Sequence, residues 1–515
     1  MKKQEKIFKD KNKKYKLLLV NPAFKYHHYG TQIELTKLLG KPSFNYSLSL
    51  PTVAALTPDH YDIKIVDEEI NDIPYDCNPD IVGITCVYAT SRSAYNIADE
   101  FRKRSIPVVM GGSYATFNPL EALEHADAVV IGEAEGAWEE CLSDFENNNL
   151  KKTYKAKQLT DFKTSPIPRW DLIDTKKINS ILVQVSRGCP YECEFCLVTK
   201  MYGRKRRLRD IDNVIEEIKA SPVKRIFFVD DNLTFNKKYT RELMKRLKPL
   251  NITWFCQSSI ELADDLELLK EMADAGCISL LIGFESVNQE NIKEIKKHQN
   301  VIENYEKALK NIHSAGIHVM GSFLVGFDSD NLKTFDNIFD FTVKTNLVFS
   351  VFSILSAVPG TELYDRIKKE KRLLDVDPAF CNGMFTTIKA KTMSPVVILD
   401  NYYKTIKRLL SPEVMLQKAL NLLKTGGFKK AGGAARGVGF MEKIRSSSFL
   451  LKRFYFTKDK KVKELFKEIC ILGMDKIAAW EQIAYLLLSI AGFENYIKNT
   501  GHYPDEIRAK ILQYK

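Results

Sequence analysis

Short apolar segments alternate with helical stretches through most of this 515-residue chain. In the first third, five such segments precede turns that contain Asn-Pro, Thr, Gly-Gly or Gly-Glu. They are KLLLVNP (16–22), YDIKIVDEE (61–69), DIVGITCVYAT (80–90), IPVVMGG (106–112) and ADAVVIGEAEGAW (126–138). Strands that alternate with helices form parallel sheets. We therefore predict a doubly wound α/β domain, flavodoxin- or Rossmann-like, at 16–147, with its ligand beyond the strand carboxyl ends.

A second series of strand–helix repeats follows a polar, proline-containing connector at 148–178. Its strands are SILVQVSRGCP (180–190), RIFFVDDNLTF (225–235), ITWFCQSSI (252–260), CISLLIGFES (277–286), GIHVMGSFLVGFD (316–328) and FSVFSILSAVPGTELY (349–364). The pattern predicts an open or closed (β/α) barrel at 179–375, with its chemistry at the strand C-terminal ends. Residues 376–515 have helical periodicity, interrupted by a basic Gly/Ala-rich segment at 424–440.

The positive charge of the chain is concentrated in its C-terminal part. Residues 401–515 contain 22 Lys and Arg against 10 Asp and Glu, a net charge of +12 that equals that of the whole chain. Such a surface can bind anionic lipid headgroups, a phosphate-bearing substrate or RNA, or can simply be solvated. No recognisable nucleic-acid-binding motif accompanies the charge, so no nucleic acid is expected. We expect peripheral membrane contact through this region.

Nothing in the sequence indicates export or membrane insertion. Residues 1–15 form a basic tail without the apolar core of a secretory signal. The most apolar late stretch, 478–493, contains Glu481 and is typical of a buried or interfacial helix. The chain is therefore expected to be cytoplasmic, where clustered thiols indicate metal binding or catalysis rather than disulfides. Seven of the ten cysteines are scattered singly and are expected to be small buried residues.

The other three cysteines, Cys189, Cys193 and Cys196, lie within the ten residues RGCPYECEFC (187–196). A tetrahedral zinc site would need a fourth Cys or His nearby, and none lies within thirty residues on either side. A [4Fe–4S] cube with three protein ligands instead leaves one iron open to chelate a small molecule. An iron–sulfur site is therefore favoured over zinc or a chance cluster.

The spacing of these cysteines, with Phe195 before the last, resembles the signature of the radical SAM superfamily. The resemblance implies that the open iron binds S-adenosyl-L-methionine (SAM) and that reductive cleavage yields a 5′-deoxyadenosyl radical. It also implies an electron donor of the flavodoxin or ferredoxin type. Segments 227–236, 283–286, 323–327 and 357–364 resemble further motifs of this family. By this resemblance the SAM-binding residues are Phe195, Asp230, Asp231, Asn232, Gln257, Ser258 and Glu285, although turn or capping roles remain the alternative for the acidic and amide side chains.

The preceding domain is similar to the cobalamin-binding domain of the B12-dependent radical SAM class. The resemblance places Asn21, Ser91, Gly111, Gly112 and Glu133 beside the corrin. The D-x-H-x-x-G motif that supplies a lower histidine is absent, because Asp59 and His60 are adjacent. The resemblance therefore implies cobalt without a protein imidazole. His27 and His28 could approach the ligand, but solvent-facing loop positions are favoured for them.

Stretches 283–300 and 323–330 resemble a subgroup that includes the hopanoid C-2 methylases. This resemblance implies methylation of an unactivated carbon of a lipid or secondary metabolite, with cobalamin carrying the methyl group. One alternative keeps both cofactors but forms rings, couples carbons or oxidises the substrate. Another is a B12 or iron–sulfur sensor without turnover. No catalytic general base can be identified from the sequence.

Overall fold

The computed structural model describes residues 14–28, 33–425, 447–474, 480–500, 509 and 511–514. The chain divides into two compact units. Unit 1 comprises Met1–Phe24, Ser47–Thr160 and Pro166–Ile173. Unit 2 comprises Lys25–Tyr46, Asp161–Ser165 and Asp174–Lys515. Residues 25–46, which the strand pattern placed in the first domain, thus group with the second unit.

Unit 1 contains a six-stranded sheet in which every strand pair is parallel. Its strands are β1 (Tyr15–Asn21), β2 (Tyr61–Asp67), β3 (Ile81–Thr85), β4 (Val108–Gly111), β5 (Ala128–Ile131) and β6 (Thr153–Lys155). Five of them follow the sequence pattern. Strand β6 lies in the stretch that the sequence predicts to be a connector. It has no apolar run, because only the middle one of its three residues is buried.

The core of unit 1 forms where helices cover this sheet. The helices are Ser49–Ala55, Ser91–Lys103, Ser113–Phe117, Pro119–His125 and Ala137–Glu146. Buried Ala94, Ile97 and Phe101 recur at helical spacing and give helix Ser91–Lys103 one apolar face. The parallel sheet with its covering helices confirms the predicted doubly wound α/β fold.

The winding of unit 1 reverses at β1. The strand order is β2-β1-β3-β4-β5-β6, so β1 lies between β2 and β3. Leu17 is paired with Ile63 on one side and with Ile81 on the other. Ligands of open parallel sheets bind beyond the strand carboxyl ends at such a switch point. This edge is therefore where a ligand of unit 1 is expected.

Unit 2 contains a second parallel sheet of six strands, wound in one direction. Its order is β14-β13-β12-β11-β10-β7. The strands are β7 (Ile181–Val183), β10 (Arg225–Phe228), β11 (Thr253–Ser258), β12 (Cys277–Glu285), β13 (His318–Val325) and β14 (Phe349–Ile354). Strands β8 (Ser186–Arg187) and β9 (Arg207–Leu208) form a separate antiparallel pair. The predicted (β/α) barrel is thus present in its open form.

Helices connect successive strands of this second sheet. The longer ones are Ile211–Ala220, Lys237–Leu247, Leu266–Asp274, Tyr305–Ser314 and Leu332–Lys344. Their starts follow from capping residues: the side chains of Asp210, Asn236 and Asn331 accept hydrogen bonds from backbone N–H groups of the first turn. Shorter helices of unit 2 lie at Ile33–Leu38, Val198–Tyr202, Gln289–Glu294 and Glu362–Lys369.

The C-terminal part of unit 2 is helical, as the periodicity predicts. Its helices are Pro395–Leu409, Pro412–Lys424, Lys460–Met474 and Trp480–Thr500. The first two begin with proline directly after serine, a favourable N-terminal pair. Among the described residues, no helix is long and apolar enough to span a bilayer. Residues 1–13 of the predicted basic tail and 426–440 of the Gly/Ala-rich segment lie outside the described residues.

Candidate active site

The three cysteines lie on a loop that follows β8 at one edge of the barrel region. The antiparallel pairing of Ser186 with Leu208 and of Arg187 with Arg207 closes this loop at its base. Gly188 has φ +92°, and a Cβ there would lie 2.7 Å from the carbonyl oxygen of Lys205. Only glycine therefore permits this close approach of the two backbone segments directly before Cys189.

The thiols of the loop are partly buried. Burial raises the pKa of all three, that of Cys196 to about 12. Cys189 and Cys193 lie near enough to raise the pKa of Cys196 further. No three His, Cys, Asp or Glu side chains in the described part of the chain meet closely enough to hold one metal ion. A cubane cluster does not need such a group, because each thiolate binds a different iron.

Asp230 follows β10 and anchors the strand end that leads into the cysteine loop. It is fully buried, and its carboxylate accepts hydrogen bonds from the hydroxyl of Ser186 and the backbone N–H of Val185. Burial raises the pKa of Asp230 to about 6. These contacts connect β10 to the strand that leads into the cysteine loop, so the geometry gives Asp230 a supporting position. Its predicted contact with SAM stays a prediction.

Asp231 lies near the thiols, and Asn232 follows it in the same turn. Burial raises the pKa of Asp231 to about 6, and its charge in turn raises the pKa of Cys189 and Cys196. Asn232 is 3% exposed, and its Oδ1 accepts a hydrogen bond from the backbone N–H of Ser259 at 3.4 Å. Its Nδ2 is buried and has no hydrogen-bond partner among the described residues. An unsatisfied buried donor here fits a polar cofactor such as SAM.

Arg206 adds a second unsatisfied donor beside the cysteine loop. Its guanidinium donates hydrogen bonds to the hydroxyl of Ser186 and to the carbonyl oxygen of Asn232. Its Nε is buried without a partner in the described structure. Burial lowers the pKa of Arg206, whereas Asp230 and the thiol of Cys189 oppose that shift. Arg206 could not be identified from the sequence, because it lies in the surface-like run RKRRLR (204–209).

Gln257 and Ser258 end strand β11. The carbonyl oxygen of Gln257 accepts a hydrogen bond from the backbone N–H of Leu233, which holds the turn after β10 against β11. The hydroxyl of Ser258 lies 2.5 Å from that of Thr234. The geometry therefore brings both positions next to the Asp230–Asn232 turn. Their contacts with SAM stay predictions.

Glu285 ends strand β12 and forms an ion pair that the sequence did not indicate. Its Oε1 accepts a hydrogen bond from the Nζ of Lys297 at 2.5 Å, and the Glu285 and Lys297 side chains are only 8% and 13% exposed. Lys297 also donates to the carbonyl oxygen of Gly283 at 2.9 Å. Burial alone would lower the pKa of Lys297, but Glu285 and the thiol of Cys193 raise it overall. Lys297 thus places a cation beside the cysteine loop.

Glycine creates the space for this ion pair. A Cβ at Gly283 would lie 2.2 Å from the Oε1 of Glu285 and 2.6 Å from the Nζ of Lys297. Glu285 itself has φ +62°, in the left-handed region that non-glycine residues seldom adopt. The strained backbone and the buried charges are typical of a functional site. Lys297 is one of three lysines in the run KEIKKHQ (293–299), so the sequence does not distinguish it as the partner of Glu285.

Phe195 packs into an apolar cluster at the C-terminal ends of the last two strands. The cluster contains buried Ile295, Phe327, Leu355 and Leu363. This packing fixes the side chain next to Cys196 against the barrel rather than in solvent. It is consistent with the aromatic position of the cysteine motif, while contact of Phe195 with SAM remains a prediction.

The predicted cobalamin-binding residues lie at the carboxyl edge of the sheet in unit 1. Asn21 ends β1, and its Nδ2 donates a hydrogen bond to Asp67 at 2.9 Å. Ser91 begins a helix after β3 and donates to the carbonyl oxygen of Tyr88 at 2.9 Å. Glu133 follows β5, is 7% exposed, and accepts a hydrogen bond from the backbone N–H of Thr160 at 3.3 Å.

Gly111 and Gly112 end β4 at the same edge. Gly112 has φ +100°, and a Cβ there would lie 2.7 Å from the carbonyl oxygen of Cys86. Beyond the neighbouring strand β5, a Cβ at Gly132 would meet nothing within 4 Å. Backbone without side chains beside open space fits the close approach of a large planar ligand. The residues present therefore fit a corrin at this edge.

Two of the described histidines have positions that bear on the predicted cobalt site. His60 precedes β2, at the opposite edge of the sheet, and lies 2.8 Å from Glu146. His28 belongs to unit 2, where its Nε2 lies 3.2 Å from the carbonyl oxygen of Phe352. Burial lowers the pKa of His28 to about 4. The favoured solvent-facing position is thus wrong for His28, because packing against β14 draws this loop inward.

Two family models match the chain, one in each unit. Residues 47–142 match the B12 binding domain, and residues 183–342 match the radical SAM superfamily. The first range contains β2 to β5 of unit 1. The second runs from the end of β7 to the helix after β13 and includes the cysteine loop.

Several known proteins resemble the chain over most of its length. Bacteriochlorophyllide d C-8(2)-methyltransferase of Chlorobaculum tepidum is 33% identical over 420 residues, which cover 76% of this chain and 92% of that protein. Hopanoid C-2 methylase of Rhodopseudomonas palustris is 25% identical over 380 residues, 68% and 72% of the two chains. The solved structure of the cobalamin-dependent SAM radical enzyme OxsB shares the fold, with a TM-score of 0.60, 14% identity, and coverage of 97% and 83%.

The family matches and the site geometry agree. The cysteine motif of the radical SAM match lies beside unsatisfied polar donors, and the B12 match coincides with a switch-point sheet whose edge carries glycine backbone. The relative with 33% identity aligns along nearly its whole length. The chain is therefore an enzyme of the radical SAM superfamily and belongs to its B12-binding branch, whose cofactors are a [4Fe–4S] cluster, SAM and cobalamin.

Proposed function

We propose that this chain methylates an unactivated carbon of a small-molecule or lipid substrate. The observation that carries the proposal is the three-cysteine loop beside buried donors without partners, on a chain 33% identical to a methyltransferase. The hopanoid relative is also a methylase, so both relatives named above transfer a methyl group to carbon. Their substrates, a bacteriochlorophyllide and a hopanoid, are large ring systems, which favours a substrate of that kind here.

The cysteine loop supports an assignment of residues to the cluster. Cys189, Cys193 and Cys196 would bind three irons of the cluster, and SAM would occupy the fourth. When bound, the cluster and SAM supply one-electron chemistry, and cobalamin supplies the methyl group. The protein must orient the groups that react and exclude water from them.

The side chains near the cysteine loop are suited to orienting a zwitterionic cofactor. Lys297 and Arg206 contribute positive charge, and Asp231 and Glu285 contribute negative charge. The amino and carboxylate groups of SAM need one partner of each sign. Because these four groups are partly or fully buried, each interaction is stronger than it would be in water.

Product analysis of the anaerobically reconstituted enzyme tests this function. The chain would be supplied with iron, sulfide, cobalamin, SAM, a low-potential reductant, and either a chlorin or a polycyclic lipid. Methylated product together with S-adenosylhomocysteine and 5′-deoxyadenosine is expected. Deoxyadenosine without methylated product would indicate cyclisation, coupling or oxidation instead. No deoxyadenosine at all would indicate a sensor, and the Cys193→Ser variant serves as the inactive control.

The reductant is proposed to be a flavodoxin or ferredoxin. The proposal rests on the requirement of the family for one-electron reduction of its cluster. Reduced flavodoxin or ferredoxin should support deoxyadenosine formation in place of a chemical reductant. Failure of both proteins, with dithionite active, would exclude them as donors.

A peripheral contact with anionic lipid is proposed for the C-terminal helices. Phe456 is 72% exposed at a turn, and the exposed cations Lys452, Lys458 and Lys460 are its neighbours in sequence. An exposed aromatic side chain flanked by cations favours binding to an anionic bilayer surface. Each cation near the surface contributes about 1 kcal/mol to the binding free energy. Sedimentation with phosphatidylglycerol vesicles, but not with phosphatidylcholine vesicles, is expected and should weaken in high salt.

Two variants separate this contact from nonspecific adsorption. Phe456→Ser should weaken vesicle binding. Leu332→Ser, which alters a residue 58% exposed on a barrel helix, should not. Binding that ignores salt and Phe456→Ser alike would contradict the contact.

A further inference from the structure

Glu194 is a buried carboxylate inside the cysteine loop, between Cys193 and Phe195. Its side chain is only 6% exposed. Neither the cysteine spacing nor the cofactor chemistry requires an acid at this position. A buried charge is costly unless it is paired, so its partner indicates what the residue does.

The partner of Glu194 is Arg366, which lies 172 residues further along the chain. Arg366 Nε donates to one carboxylate oxygen at 2.7 Å, and Nη2 donates to the other at 2.9 Å. Such a bidentate pair fixes the orientation as well as the position of both groups. Glu194 in turn raises the pKa of Arg366, so the guanidinium stays charged.

The backbone of Glu194 is held at the same place. Its N–H donates to the carbonyl oxygen of Ile295 at 3.1 Å, and its carbonyl oxygen accepts from the N–H of Leu363 at 3.0 Å. Ile295 follows β12, and Leu363 belongs to the helix Glu362–Lys369 that follows β14. One residue of the cysteine loop is therefore tied to two other segments of the barrel through side chain and backbone.

We propose that Arg366 is a positioning residue that holds the cysteine loop, through Glu194, in the conformation that presents Cys193 and Cys196 to the cluster. The effect on the cluster rests on the function proposed above, whereas the effect on the loop does not. Phe195 packs against the apolar cluster to which Leu363 of the same helix belongs, so the ion pair and the apolar packing act on adjacent residues. Loss of the ion pair should loosen the loop and shorten the lifetime of a bound cluster.

Arg372 provides a matched control. It forms a bidentate pair with Asp328 at 2.7 to 3.0 Å, in the same network of charges, but it makes no ion pair with Glu194. Arg366→Met and Arg372→Met each remove one partly buried guanidinium. If Arg366 only stabilises the fold, the two variants should behave alike in every assay.

The decisive assay measures the rate at which the reconstituted chain loses iron to a chelator. Arg366→Met and Glu194→Gln should each release iron at least about tenfold faster than the wild type, because a buried ion pair is broken within the loop. Arg366→Lys should recover part of the difference, since it restores the charge without the two-point geometry. Arg372→Met should release iron at the wild-type rate even where its melting temperature falls as much.

A metal-free arm keeps the positioning role testable if no cluster forms. In the iron-free chain, Cys193 and Cys196 should react faster with iodoacetamide in Arg366→Met than in the wild type or in Arg372→Met, as read by mass spectrometry. Equal alkylation and equal iron release in the two methionine variants would overturn the proposal. A wild type that binds no cubane, yet shows the alkylation difference, would refute the proposed function and leave the positioning role in place.

Discussion

Each of the two six-stranded parallel sheets has its predicted site at the carboxyl ends of its strands, but the two sites consist of different chemical groups. In unit 1 the predicted site consists largely of backbone: Gly111, Gly112 and the open space at Gly132. In unit 2 it consists of thiols and buried charges, including the pair of Glu285 and Lys297. The strand orders differ as well. The first sheet has a switch point at β1, whereas the second is wound in one direction.

The comparison indicates that the carboxyl ends of the parallel strands determine where a ligand binds, and that the loops after those strands determine which ligand binds. A corrin is large, and glycine lets the backbone approach it closely. A cluster with SAM is small and highly charged, so it needs ligands and counter-ions. Changes in unit 2 should therefore act through charge and metal content, and changes in unit 1 through shape.

The largest effect is expected at the thiols. Cys193→Ser should reduce iron content well below four per chain and abolish deoxyadenosine formation, because the cube loses one of three protein ligands. Cobalamin binding should be retained. Cys470→Ser, a change at one of the scattered cysteines, serves as the control and should keep full iron content. Iron, sulfide and cobalamin analysis would show whether the two sites are separable.

The next largest effect is expected at the buried ion pair. Lys297→Met leaves the carboxylate of Glu285 buried without its partner, which should lower the free energy of unfolding by about 3–5 kcal/mol. The double variant Lys297→Met/Glu285→Gln should recover most of this stability, because no charge is left unpaired. Denaturant unfolding measures the stabilities. Equal loss in the single and double variants would show that the pair is not what stabilises this part of the barrel.

Two buried groups, one in each unit, should contribute to the pH dependence of stability with opposite signs. Burial raises the pKa of Asp67 from its usual 3.8 to about 6, so the folded state of unit 1 binds this proton more tightly than the unfolded chain does. The contribution of protonated Asp67 to the free energy of unfolding is therefore complete below about pH 4 and is lost as the pH rises through 6. By linkage it amounts to roughly 3 kcal/mol. Asp67→Asn should remove this pH dependence, as followed by calorimetry between pH 4 and 7.

The pKa shift of His28 in unit 2 has the opposite effect on the pH dependence of stability. Burial lowers the pKa of His28 from 6.5 to about 4, so the folded state favours the neutral ring. Stability should fall as pH decreases from 6.5 towards 4, and His28→Gln should flatten that fall. A shared pH profile, unchanged by either substitution, would contradict the assignment of these buried groups.

The smallest effect is expected at the glycine edge of unit 1. Gly112→Ala places alanine at φ +100° and ψ 177°, a conformation that is essentially restricted to glycine and costs about 1–3 kcal/mol, with a Cβ 2.7 Å from the carbonyl oxygen of Cys86. Cobalamin affinity should fall about tenfold or more with this shift in the edge, while iron content stays unchanged. Gly136→Ala has a similar φ of +78° with nothing within 4 Å of its Cβ, and should keep its affinity. Absorbance titration with cobalamin compares the two.

The strand pattern and the cysteine spacing were sufficient to predict much of this molecule. Eleven of the twelve strands of the two sheets coincide with apolar runs, because parallel strands buried on both faces must be apolar. The three-thiol loop was evident because its ligands are adjacent in sequence. Strand β6 was missed because a three-residue edge strand with two exposed residues carries no such run.

The supporting residues of the site could not be predicted in this way. Arg366 meets Glu194 across 172 positions, and nothing local distinguishes this arginine from those on exposed helices. Lys297 and Arg206 lie within basic runs that are typical of surfaces. Their roles follow only from tertiary packing, which buries them beside the thiols. Sequence patterns record periodicity and ligand spacing, but they do not record which distant charges meet.

Electron paramagnetic resonance of the reduced, anaerobically reconstituted chain tests the central claim most directly. With three thiolates on the cube, one iron is open, and addition of SAM should change the spectrum because its amino and carboxylate groups bind that iron. Cys193→Ser should show neither the cube nor the change. A chain that assembles no cube, or a cube whose spectrum is identical with and without SAM, would contradict the account.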